Sequence, residues 1–189
     1  VEPEDPDYTF DDQNIVLTEV WKKTTADGWF SLSAPVTRSM AYKDGKLYVL
    51  NARSSATPVI NIVDAYTGTA KGTLSVDGVA GGAVILSNIV AFDGKIYASN
   101  RATAPSSAAS GTLKIYRWDS DTSAPTVIKE DATHGSLALG GKMMLSGNSS
   151  NGRIWFCQGS TVVYYDITNG TVGNAQTIAL TKSGEAFSL

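Results

Sequence analysis

The sequence predicts an all-β protein, a β-propeller of about three and a half four-stranded antiparallel blades that forms only part of a ring. Three observations lead to that class. Gly (18), Ser (20) and Thr (19) make up about three in ten of the 189 residues, and charged residues only 17%. Such residues are poor helix formers and suit strands joined by tight turns. An Asx-Gly pattern recurs three times with the same residue types after it. Each copy is followed by a β-rich strand ending in Asp and then by a fourth strand, so one unit is four strands in roughly 50 residues, the period of a propeller blade.

The chain opens on Val1-Glu2-Pro3-Glu4-Asp5-Pro6-Asp7, and residues 1–14 hold six acids and no base. Acidic, proline-punctuated and without apolar periodicity, they read as a flexible tether. The net charge of −3 is a property of that arm, because the remaining residues carry 15 bases against 12 acids. Residues 15–33, led by Ile15-Val16-Leu17-Thr18-Glu19-Val20-Trp21, read as a lone outer strand. The domain proper spans 15–189, with blades over about 34–78, 79–130 and 131–180.

The three hairpins are Tyr42-Lys43-Asp44-Gly45-Lys46-Leu47-Tyr48, Phe92-Asp93-Gly94-Lys95-Ile96-Tyr97 and Ser150-Asn151-Gly152-Arg153-Ile154-Trp155. Asx-Gly accepts the positive φ values of a type I′ turn, which links antiparallel strands. The base after each turn reads as a solvated strand start. Tyr48, Tyr97 and Trp155 then fall at one repeated position, as packing between blades demands. The third strands are 59–64, 113–119 and 162–166, closing on Asp64, Asp119 and Asp166. Those aspartates read as turn formers that cap backbone amides. Fourth strands follow at 72–76, 126–129 and 175–180. Residues 181–189 read as the start of a further blade, so the arc is open at both ends and exposes apolar faces that invite self-association.

Two stretches resemble known repeats. Asp64-Ala65-Tyr66-Thr67-Gly68 resembles the Asp-Ala-x-Thr-Gly turn of bacterial quinoprotein-like and YVTN-like propeller blades. Thr37-Arg38-Ser39-Met40-Ala41, leading into Asp-Gly-Lys-Leu-Tyr, resembles propeller domains of Bacteroidetes surface lipoproteins. The resemblance covers about 15–189. It implies blade architecture and an extracytoplasmic location, the bacterial periplasm or outer-membrane surface, with a lipid anchor upstream. The tryptophans that mark quinone-binding blades do not recur, so no cofactor is expected.

Chemistry is sparse. One histidine, His134, and one cysteine, Cys157, exclude His/Cys metal sites. His134 reads as a loop residue and Cys157, in Ile154-Trp155-Phe156-Cys157, as a small core residue. Gly78-Val79-Ala80-Gly81-Gly82 lacks the lysine and helix of a phosphate loop. No dense basic cluster suggests nucleic acid. The longest apolar run, 78–92, is 15 residues and too short to span a bilayer.

One constellation remains. In a propeller the starts of innermost strands and the ends of second strands share the face opposite the Asx-Gly turns. That face collects Arg38, Asn51, Arg53, Asn100, Arg101 and Gln158, whose guanidinium and amide groups suit a carboxylate, a phosphate or sugar hydroxyls. Trp29 is a candidate stacking platform. The expected function is a non-catalytic ligand-binding or protein-interaction scaffold of a cell-surface lipoprotein, with a carbohydrate or a protein as partner. The alternative is the N-terminal part of a propeller-type glycoside hydrolase or polysaccharide lyase, which requires two acids converging on that face.

Overall fold

The computed structural model describes residues 18–27, 36–52, 56–103, 110–135, 137–182 and 185–186. Among them there is no α-helix, and no helix long and apolar enough to cross a membrane. Three four-stranded antiparallel sheets follow one another along the chain. The first is β1 (Val36–Lys43), β2 (Lys46–Ala52), β3 (Val59–Asp64) and β4 (Ala70–Leu74). The second is β5 (Val84–Phe92), β6 (Lys95–Arg101), β7 (Leu113–Trp118) and β8 (Thr126–Asp131). The third is β9 (Met144–Gly147), β10 (Asn151–Gln158), β11 (Thr161–Thr168) and β12 (Thr171–Ala179). Within each sheet the spatial order follows the chain order.

The first two Asx-Gly pairs form the expected turns. Asp44 and Gly45 have φ of 50° and 73°, and Asp93 and Gly94 of 48° and 71°, positive at both central positions as type I′ requires. The third pair does something else. Asn151 and Gly152 are the first residues of β10, and the turn lies before them. There Asn148 Oδ1 accepts the amides of Ser150 and Asn151 at 2.9 and 2.7 Å. Gly152 sits opposite Gly147, where a Cβ would run into the Ser146 carbonyl, so the glycine serves close backbone approach. The Asx-Gly turn of this sheet is Asn169-Gly170, joining β11 to β12 (φ 51° and 78°).

The sheets pack in series. Strand alternation sends Tyr48, Leu50, Ile60, Ile62 and Leu74 of the first sheet into one cluster with Leu86, Ile89, Ile96, Ala98, Tyr116 and Trp118 of the second. The other side of the second sheet, through Tyr97, Leu113 and Ile115, meets Ile154, Phe156, Val163, Tyr165 and Ile167 of the third. Polar links reinforce both junctions. Ser39 Oγ of β1 donates to Asn88 Oδ1 of β5 at 2.9 Å. Asp93 Oδ2 accepts the Ser149 amide at 2.8 Å.

Two expectations are corrected. The outer strand read over 15–33 is absent from its described part: residues 18–24 pair with no sheet and Thr25–Asp27 is a 3-10 turn. A local bond and a side-chain contact hold the segment instead: Asp27 Oδ2 accepts the Thr24 amide at 2.6 Å, and Trp21 Nε1 donates to Ala65 O of the first sheet's turn at 2.9 Å. Cys157 is exposed and not in the core. Ile154 and Phe156 face the second sheet, so strand alternation turns Trp155 and Cys157 outward. Of residues 181–189, expected to start a further blade, the described ones are β13 (Thr181–Lys182), paired antiparallel with β14 (Glu185–Ala186). Residues 1–14, the predicted tether, lie outside the described residues.

Candidate functional site

The expected polar face divides into structural amides and exposed ends. Asn100, buried in β6, replaces the backbone ladder where β6 and β7 part. Its Nδ2 donates to Thr112 O and its Oδ1 accepts the Lys114 amide, both at 2.9 Å. Gly82 lies against it; a Cβ there would come within 2.7 Å of Asn100 Nδ2. Asn51 is also buried, and Thr37 Oγ1 donates to its Oδ1 at 2.8 Å. Both amides are therefore spent on the fold.

Arg38, Arg101 and Gln158 are exposed. Arg38 sits at an irregularity of β1, between the Thr37–Asn51 and Ser39–Leu50 pairs. Arg101 ends β6 opposite Val84. Each lies at the strand end remote from its sheet's Asx-Gly turn. Gln158 ends β10 opposite Thr161. The three belong to three different sheets, and no hydrogen bond or ion pair joins them. Arg53 and Trp29 lie outside the described residues.

The aspartates that follow are engaged in structural contacts. Asp64 caps its turn, accepting the amides of Tyr66 and Thr67 at 3.0 and 2.9 Å, as its sequence context suggested. Asp119 and Asp166 differ from that expectation, as do the bases after the turns. Lys95 Nζ reaches Asp119 at 2.7 Å and Arg153 Nε reaches Asp166 at 2.6 Å, so base and acid pair across neighbouring strands. Lys46 instead crosses to the second sheet, donating to Asp121 at 2.5 Å, and the Tyr48 hydroxyl donates to the same carboxylate at 2.6 Å. Burial alone would raise the Asp121 pKa, but these two donors outweigh it and hold the carboxyl below its ordinary range.

A second buried cluster joins the second and third sheets. Asp131 accepts the Tyr165 hydroxyl at 2.7 Å, and the Thr133 amide and hydroxyl at 2.7 Å each. Burial pushes this carboxyl up; the Tyr165 and Thr133 hydrogen bonds push it down and prevail. Burial, and then the Asp131 bond, raise the Tyr165 hydroxyl. His134 is buried beside them and donates through Nε2 to Gly111 O at 2.5 Å. Nothing in its sequence, beyond Asp131 three residues earlier, signals burial. Among the described residues no group of three His, Cys, Asp or Glu is placed to hold a metal ion.

The outward side of the third sheet carries an exposed apolar face of the kind expected at an open end of the arc, built on residues the sequence analysis did not single out for it. Met144, Trp155, Cys157, Val162, Ile178 and Leu180 line an open apolar groove of about 700 Å³. Beside it the Arg153 guanidinium lies over the rings of Tyr164 and Trp155, 4.7 and 5.4 Å from their centroids. The signal was the alternation of β10 itself: once Ile154 faces inward, Trp155 cannot.

No family model and no curated protein matches this chain. Among solved structures it is similar to a DUF4623 family protein from Bacteroides eggerthii DSM 20697, with a TM-score of 0.62 and 23% identity over 77% of this chain and 36% of that one. The chain thus spans about a third of that protein's length, and the likeness is one of fold. A WD40 domain of Toxoplasma gondii coronin aligns with a TM-score of 0.49 and 14% identity, over 76% of this chain and 35% of that one.

Proposed function

We propose that the three sheets are blades of a larger β-propeller, an extracytoplasmic, non-catalytic scaffold that binds a glycan at the sheet ends bearing Arg38 and Arg101. The observation that carries this reading is a contrast of charges. Asp64, Asp93, Asp119, Asp121, Asp131 and Asp166 are each held by a structural hydrogen bond or ion pair. Arg38 and Arg101 are exposed at strand ends. Exposed guanidinium forks favour carboxylates and hydroxyl-rich ligands, whereas glycoside hydrolysis needs a converging pair of acids. Packing of the sheets in series supports the propeller part of the reading, since blades are covered only by their neighbours. The acidic, proline-punctuated arm of residues 1–14 supports a tethered position at the bacterial surface, behind an upstream lipid anchor.

The test is a glycan array followed by calorimetry on the best binder. Arg38→Ala and Arg101→Ala are each expected to weaken binding about tenfold, the loss of one charge-assisted hydrogen bond. An array without a binder sinks the glycan reading. New reducing or unsaturated ends released from a polysaccharide would establish the carbohydrate-active enzyme in its place.

A further inference from the structure

We propose that the outward side of the third sheet is a docking face for a fourth four-stranded sheet of the same repeat, carried by the same polypeptide. The inference rests on the propeller part of the preceding reading and is independent of the ligand. Strand register sets the equivalences. Tyr48, Tyr97 and Trp155 each lie three residues beyond the glycine of their repeated motif. In the first sheet Tyr48 pairs with Ile62, Leu50 with Ile60, and Ile60 with Leu74. In the third, Trp155 pairs with Tyr164, Cys157 with Val162, and Val162 with Ile178. The side of Tyr48, Leu50, Ile60, Ile62 and Leu74 is therefore repeated as Trp155, Cys157, Val162, Tyr164 and Ile178.

In the first sheet all five residues are buried against the second sheet. Tyr97, at the same position of the second sheet, is buried against the third. In the third sheet no other sheet covers the set: Cys157 and Ile178 are exposed and Trp155, Val162 and Tyr164 half-buried, with Met144, 62% exposed, lining the same groove. An open apolar side that repeats two filled interfaces fits a third interface of the same kind. Its occupant presents a mixed aliphatic and aromatic side, as Ile96, Tyr116 and Trp118 do in one filled interface and Ile154, Phe156 and Tyr165 in the other. A second copy stacking through its first sheet fits less well. Val49 and Val63 on that sheet's far side are already buried within one chain, outside both inter-sheet clusters. A chain containing this fold is also known to extend well past the matched region, since 36% of it is covered.

Cys157, the single cysteine of these 189 residues, lies on the proposed interface and reports on it. The experiment is maleimide labelling of the gene's complete product, read at the Cys157 peptide by mass spectrometry. Native labelling is expected to be at least about 100-fold slower than labelling in urea, because reaction then requires local opening. Trp155→Ala should restore most of the rate. Trp155→Tyr should not, since the two filled interfaces carry tyrosine at that position. Native labelling within about threefold of the unfolded rate overturns the proposal, as does protection lost on dilution together with a halving of mass, which would make the occupant a second copy. Glycan binding by the Arg38 and Arg101 variants is a separate readout, so failure of the ligand reading leaves the Cys157 result intact.

Discussion

Asp131 shows how one side chain fastens two sheets. Its carboxylate, buried at the end of β8, takes the Tyr165 hydroxyl from β11 and two donors from Thr133. Removing a donor leaves a buried charge short of a partner, which costs about 1–3 kcal/mol. Tyr165→Phe and Asp131→Asn should each lower stability by that amount at neutral pH, and the double variant by less than the sum, measured by urea denaturation. The pH dependence follows from the direction of the shift. The native pKa lies below the unfolded value of 3.8, so the stabilisation is complete above that value and is lost as pH falls through the lower native one. The difference between wild type and Asp131→Asn should therefore shrink below about pH 4. A difference that stays constant down to pH 2 would contradict the assignment. This cluster was illegible in the sequence, because Asp131 and Tyr165 are 34 residues apart and nothing local marks them as partners.

At the scale of the element, similar Asx-Gly dipeptides part company. Asp44-Gly45 and Asp93-Gly94 were legible because a type I′ turn is set by its own two residues and the strands beside them. Asn151-Gly152 is also an Asx-Gly pair, with a different task. Here the φ at Gly147 is 82° and a Cβ on it would lie 2.6 Å from Asn151 O, while a Cβ on Gly152 would overlap Ser146 O. Gly152→Ala should therefore be far more damaging than Gly94→Ala. Gly94 needs only its positive φ, of 71°, and has open space around the added methyl, so its cost should be about 1 kcal/mol. Gly152→Ala should cost at least about 2 kcal/mol, because backbone must move. Thermal or urea unfolding of the two variants decides it, and equal losses would show that the close approach relaxes freely.

Across the molecule, stability is transmitted from sheet to sheet. The first and third sheets meet only the second in the described clusters, so each junction is held by its own apolar set. Phe156→Ala empties part of the junction between the second and third sheets, at a cost of about 3–5 kcal/mol. Amide exchange should accelerate across β9–β12 first, while β2 and β3 remain protected by the other cluster. Equal acceleration in all three sheets would instead mean that they open as one unit.

The features legible without the fold are those that short-range physics sets. Strands, tight turns, the four-strand repeat and the equivalence of Tyr48, Tyr97 and Trp155 all follow from neighbours a few residues apart. Packing alone settled the partner of each group and the side of the sheet it occupies. Asn51 and Asn100 became structural, Lys46 reached across to Asp121, and Cys157 turned to solvent. The physical reason is the period of two along a strand: it separates two sides without saying which one will be covered, and only packing against another sheet settles that.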